Sequence, residues 1–172
     1  IRLDPENGMR YRNRGFAYVD LGQAERAIAD YTEAIRLDPE HAFAYNSRGI
    51  AYGNLGQYER AIEDYTEATR LDPEYANAYN SRGSAYRNLE QYDLAIADHT
   101  EAIRLEPDAR YYNSRGFTHD DFEQYDLAIE DFTEAIRLDP ENRMAYYNRG
   151  NTYWNLENYD LVIADYTEAI RL

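Results

Sequence analysis

Residues 42–75 read AFAYNSRGIAYGNLGQYERAIEDYTEATRLDPEY, and this stretch decides the fold. Tyr45, Gly49, Tyr52 and Leu55 recur three or four apart, which places them on one face of a helix from about Ala42 to Leu55. Ala61, Ile62, Tyr65, Ala68 and Leu71 repeat the pattern in a second helix from about Tyr58 to Leu71. Gly56 between them permits a sharp turn. Pro73 stops the second helix, and its ring drives Asp72 out of the helical region. The stretch is therefore a helical hairpin of 34 residues.

The hairpin recurs along the chain. Leu-Asp/Glu-Pro stands at Leu3, Leu37, Leu71, Leu105 and Leu138, and Arg-Gly at Arg14, Arg48, Arg82, Arg115 and Arg149. The period is 34, with one residue lost between Pro107 and Tyr112, in the turn that enters the fourth copy. Such a period marks a solenoid, in which each unit buries its apolar face against its neighbours. Gly15, Gly49, Gly83, Gly116 and Gly150 supply small contacts on the first helices; Ala27, Ala61, Ala95 and Ala128 do so on the second, with Val162 as the larger exception. Tyr31, Tyr65, Phe132 and Tyr166 fill the space that remains.

These residues resemble the tetratricopeptide repeat family, whose pattern of aromatic, Gly and Tyr, then Ala, aromatic, Ala and Pro appears as Tyr45, Gly49, Tyr52, Ala61, Tyr65, Ala68 and Pro73. The resemblance covers essentially the whole chain in five in-phase copies. It implies an all-α fold, a right-handed α-solenoid of five repeats at about 8–41, 42–75, 76–108, 109–142 and 143–172, with 1–7 as the tail of a preceding repeat. One solenoid is expected over residues 1–172.

The chain departs from the family where an aliphatic residue normally precedes the Gly, because Arg14, Arg48, Arg82, Arg115 and Arg149 stand there. Each repeat also carries an Asp on its second helix, at Asp30, Asp64, Asp98, Asp131 and Asp165. A half-buried Arg needs a planar acceptor, so the two are expected to pair within each hairpin. The alternative is an Arg stem that covers apolar surface while its head reaches water.

The resemblance implies a concave face lined by first helices, and hence a peptide-binding groove. The residues it assigns there are Arg12 and Phe16 in the first repeat and Asn46, Ile50 and Asn54 in the second. Asn77, Asn80, Arg87 and Asn88 follow in the third, then Asn113, Phe117 and Asp120, and finally Tyr147, Asn151 and Trp154. Asn both donates and accepts hydrogen bonds and so suits an extended peptide backbone; it equally suits a solvated groove. The Lys, Asn and Arg clamp that some members close on a terminal carboxylate is missing, since the sequence has no Lys; Arg12, Arg87 and Arg110 could each bind a carboxylate singly.

Composition narrows the partners. Formal net charge is −15, from 33 acidic and 18 basic residues, which repels nucleic acid and anionic membranes and favours a protein or peptide. There is no Cys, and no apolar run approaches the ~20 residues of a membrane span. His99 and His119 replace expected aromatics at one repeat junction; with Asp120 and Asp121 they suggest a metal site, against the plainer reading of two imidazoles filling space. No nucleophile elbow, phosphate loop or zinc motif occurs, so the chain is read as a non-enzymatic protein without cofactor or metal.

The chain begins and ends at the same phase, Ile-Arg-Leu, without a polar capping helix. A window from a longer array, flanking segments, or head-to-tail stacking into filaments would each account for this. The expected function is a binding scaffold within a longer protein; the alternative is a self-assembling solenoid. A cytoplasmic setting is expected, with the periplasm and exterior left open.

Overall fold

The computed structural model describes residues 5–172, with side chains from residue 8 onward. Ten helices and no strand occur among the described residues. The chain divides into two compact units, residues 1–89 and 90–172. The first holds α1 (Pro5–Asp20), α2 (Ala24–Leu37), α3 (Ala42–Asn54), α4 (Tyr58–Leu71) and α5 (Ala76–Asn88). The second holds α6 (Tyr92–Leu105), α7 (Ala109–Asp121), α8 (Tyr125–Leu138), α9 (Arg143–Asn155) and α10 (Tyr159–Arg171). Of the tail expected at residues 1–7, the first four lie outside the described residues and the last three belong to α1.

Each unit is a run of α-solenoid. In the first, α1 packs on α2, α2 on α3, α3 on α4 and α4 on α5, and the first helices α1, α3 and α5 touch side by side. In the second, the same succession runs from α6 to α10, with α7 beside α9. The cores are built from alanines and rings. Tyr52, Ala61, Tyr65 and Ala85 form one cluster, and Ala27, Tyr31 and Ala51 another. In the second unit Ala109, Ala135 and Ala145 join α7, α8 and α9.

The repeated Gly of the first helix receives the aromatic ring of the second. A Cβ on Gly49 would lie 2.6 Å from the Tyr65 ring, and one on Gly116 would lie 2.9 Å from Phe132. Gly and aromatic are thus one contact, rather than a small-residue crossing with a ring beside it.

Helix ends follow the Pro rule. Asp38, Asp72, Glu106 and Asp139, each before a Pro, leave the helical region and end α2, α4, α6 and α8. The lost residue shortens the link into α7 to three residues, where the link into α5 has four. In the shorter link Asp108 is the N-cap: its side chain accepts from the backbone N–H of Arg110 at 2.8 Å.

The hairpin turns are left-handed. Gly22 and Gly56 occupy that conformation in the first unit, at φ 68° and 71°. Glu90, Glu123 and Glu157 occupy it at the equivalent turns, at φ 57–59°, where a side chain is unfavourable.

Candidate functional site

In the first unit the residues of α1, α3 and α5 expected to line a groove fall into two parts. One part is aromatic. Phe16 meets Tyr31 edge-on at 5.9 Å and lies tilted against Phe43 at 5.4 Å, and Phe43 stacks on Tyr75 at 6.4 Å. The Arg12 guanidinium lies 5.4 Å from the Phe43 ring centroid and its Nη1 is 2.7 Å from His41 Nε2. Asn46 is almost fully buried, and its amide donates to the Tyr75 hydroxyl at 3.3 Å. Arg12 and Asn46 hold equivalent positions in successive repeats, and each reaches the residue just before the next first helix.

The other part is an open cavity of about 230 Å³ between α3 and α5. Ile50, Gly53 and Asn54 line it from α3, Ser84, Ala85 and Asn88 from α5, and Tyr65 forms its floor. Ile50, Asn54 and Asn88 are exposed. Asn88 spends its amide on the Ser84 carbonyl at 2.7 Å and keeps a carbonyl oxygen as an acceptor. Asn77 is exposed on the first turn of α5; Asn80 and Arg87 are half-buried on the same helix.

In the second unit several predicted residues are held by neighbouring side chains that were not predicted. Asn148 donates to Asn113 at 3.1 Å, and the Thr152 hydroxyl donates to Asp120 at 2.7 Å. The Tyr166 hydroxyl donates to Asn151 at 2.6 Å, while Tyr147 stacks on the Tyr166 ring at 5.7 Å. Phe117 is half-buried. Trp154 is 58 % exposed and meets Tyr159 edge-on. Asn151, Trp154, Asn155 and Tyr166 line a cavity of about 390 Å³. Arg110 is held by its neighbour Asp108 at 2.9 Å, which keeps that carboxyl below its ordinary pKa.

The expected Arg–Asp pairs form in the four hairpins that lie within one unit. Arg14–Asp30, Arg48–Asp64, Arg115–Asp131 and Arg149–Asp165 each make two parallel hydrogen bonds of 2.7–2.9 Å. Arg82 belongs to the first unit and Asp98 to the second. Burial works against the Asp64 carboxylate and raises its pKa, while the Arg48 hydrogen bonds pull it down and raise the guanidinium. Burial likewise pushes the Tyr31 phenol up to about 12.

A third partner was missed in the sequence. One arm of the four later Arg donates to a Thr of the preceding repeat: Arg48 to Thr32, Arg82 to Thr66, Arg115 to Thr100 and Arg149 to Thr133, at 2.9–3.3 Å. The recurrence of Thr32, Thr66, Thr100 and Thr133 at the repeat period was the available signal.

His99 is fully buried, and His119 is buried with Nδ1 2.7 Å from Gln124 and Nε2 3.8 Å from Asp131. Among the described residues no group of three or more His, Asp or Glu is placed to hold a metal ion. Nor, among them, is any helix long and apolar enough to cross a membrane.

Comparison with known proteins agrees with this geometry. A MamA fragment from Desulfovibrio magneticus RS-1 superposes with a TM-score of 0.83 at 26 % identity, over 96 % of this chain and 94 % of its own. YrrB, described as a TPR protein with an unusual peptide-binding site, gives 0.71 at 28 % identity, over 96 % and 86 %. The first TPR of Spaghetti (RPAP3), solved with the HSP90 peptide SRMEEVD, gives 0.68 at 26 % identity, over 72 % and 98 %. No curated protein matches the sequence. The tetratricopeptide repeat model matches residues 42–75, 76–108 and 144–172, and a further TPR repeat model matches 15–56 and 123–157. With more than half of its length matched, the chain belongs to the tetratricopeptide repeat family.

Proposed function

We propose that the chain is a non-enzymatic scaffold that takes an extended peptide, free or as part of a partner protein, on the first-helix face. The observation that carries this reading is the cavity between α3 and α5, where Asn54 and Asn88 stand exposed on opposite sides of an apolar floor made by Tyr65. Asn side chains there can pair with backbone N–H and C=O groups, and Ile50 offers apolar contact to a side chain. The net charge of −15 favours a neutral or basic partner. Two of the similar structures, YrrB and the Spaghetti repeat, are named for peptide binding, which supports the same reading.

Selection of displayed random peptides on the whole chain tests this. Selected peptides should bind Asn54→Ala/Asn88→Ala at least about tenfold more weakly, a loss of about 1.4 kcal/mol. Undiminished binding to that variant would place recognition elsewhere.

A second reading, head-to-tail assembly, is favoured by the outer face of α10. Met144, Tyr147, Tyr166, Ala169 and Ile170 line an apolar cavity of about 460 Å³ there. Ile170 is 86 % exposed, whereas Ile136, its equivalent in α8, packs into the α7–α9 cluster. Light scattering over a hundredfold range of concentration separates the readings. Mass that climbs without limit supports stacking, and constant mass near one chain excludes it.

A further inference from the structure

The two units differ at one edge, where each hairpin turn leads into its second helix. In the first unit the second helices open with Glu25-Arg26 and Glu59-Arg60. Arg60 lies 4.1 Å over the Tyr52 ring and donates to its hydroxyl at 2.8 Å, and Arg26 lies 4.7 Å over Tyr18. In the second unit the same positions read Asp93-Leu94, Asp126-Leu127 and Asp160-Leu161. Leu94, Leu127 and Leu161 are 50 %, 45 % and 40 % exposed.

Further exposed or half-buried apolar side chains stand at the same turns. Tyr92 at the start of α6 stacks on Phe122 in the next turn at 5.1 Å. Tyr125 and Leu127 of α8 share a cavity of about 290 Å³ with Leu156 of the following turn. Phe122 and Leu156 are themselves 38 % and 44 % exposed.

This edge is also acidic. Each turn brings one Glu, at Glu90, Glu123 and Glu157, and each helix start brings one Asp, so six carboxylates and no cation occupy segments 90–94, 123–127 and 157–161. The three Glu sit in the left-handed conformation that Gly occupies in the first unit. A side chain costs about 1–2 kcal/mol in that conformation, and strain of this kind collects where a surface is used.

We propose that this edge of the second unit is a docking surface for a basic amphipathic helix of another protein, separate from the first-helix groove. Exposed leucines recurring once per repeat call for apolar side chains at a matching interval. The flanking carboxylates select Lys or Arg on either side of that stripe and disfavour an acidic helix. The first unit, with Arg26 and Arg60 in place of the leucines, lacks both features.

The test uses the full chain and a fluorescent amphipathic peptide of Leu and Lys, about 18 residues or five turns long, followed by anisotropy at several salt concentrations. Leu94→Gln/Leu127→Gln/Leu161→Gln leaves the charge unchanged and should weaken binding at least about tenfold. Asp93→Asn/Asp126→Asn/Asp160→Asn should weaken it and flatten its salt dependence. Asn54→Ala/Asn88→Ala, in the groove, should shift it by less than about twofold. Melting curves confirm that each variant is folded. The proposal is overturned if the leucine variant binds as tightly as the wild type, which reduces the interaction to charge. It is equally overturned if the groove variant loses as much as the leucine variant.

Discussion

Arg48 and Asp64 face each other fork to fork, with Nε and Nη2 of the Arg 2.8 and 2.7 Å from the two carboxylate oxygens. Both are withdrawn from water, with 18 % and 7 % of their side chains exposed. In the first repeat Arg14 makes the same pair with Asp30 while 58 % exposed.

Asp64→Asn should therefore cost about 2–3 kcal/mol in urea denaturation. That is below the roughly 3–5 kcal/mol for breaking a fully buried pair, because part of the Arg48 side chain still reaches water. Asp30→Asn should cost clearly less, since water reaches Arg14. Equal losses at the two sites would mean that burial does not set the strength of the pair. A double change, Arg48→Met with Asp64→Leu, should recover most of the loss of Asp64→Asn alone.

Glu123→Gly should stabilise by about 0.5–1 kcal/mol. It removes about 1–2 kcal/mol of left-handed strain and returns part as extra freedom in the unfolded chain. Gly56→Ala, at φ 71°, should move stability the other way by a similar amount. Thermal melting of both variants checks the pair. On the docking proposal, Glu123→Gly also weakens the basic helical peptide while it strengthens the fold.

Asp108→Ala removes the N-cap of α7 and should cost about 1 kcal/mol at pH 7. Arg110 and the backbone N–H bound to it favour the charged carboxylate, so Asp108 titrates below its ordinary value of 3.8 in the fold. The stabilisation is then present above that value and fades as pH falls through the depressed one. The gap between wild type and variant should close in strong acid. A gap that persists there would assign the effect to packing rather than charge.

Arg60→Leu recreates in the first unit the sequence of the second. It uncovers the Tyr52 ring and strands its hydroxyl, and should cost about 0.5–1 kcal/mol in melting experiments.

The fold was legible because every copy reports the same facts. Five in-phase hairpins average out local ambiguity, and the Pro and Gly positions place the helix ends of residues 42–71 to within a residue. The Arg–Asp pair was legible for the same reason, as an Arg out of family character and an Asp that recurs at a fixed separation from it. The groove was less so. Repeat phase assigns a side chain to a face without saying whether a neighbour takes it. Asn46 is bound to Tyr75, Asn113 to Asn148 and Asp120 to Thr152, whereas Asn54 and Asn88 line an open cavity. Periodicity treats all five alike, because these bonds depend on the identity of residues about 30 positions away. The acidic leucine edge was hidden by the opposite effect: attention to what the repeats share passes over where two halves of the chain diverge.

The Arg to Thr bonds give each junction between hairpins a direction. The donor always belongs to the later hairpin and the acceptor to the earlier one. Peeling away a later hairpin leaves a bare Thr hydroxyl, which water satisfies at once. Peeling away an earlier one leaves a guanidinium arm to be rehydrated, at Arg48, Arg115 and Arg149 with the other two nitrogens still held by Asp. Within a unit, the two sides of a junction are therefore chemically different: the earlier hairpin offers hydroxyls and the later one guanidinium arms.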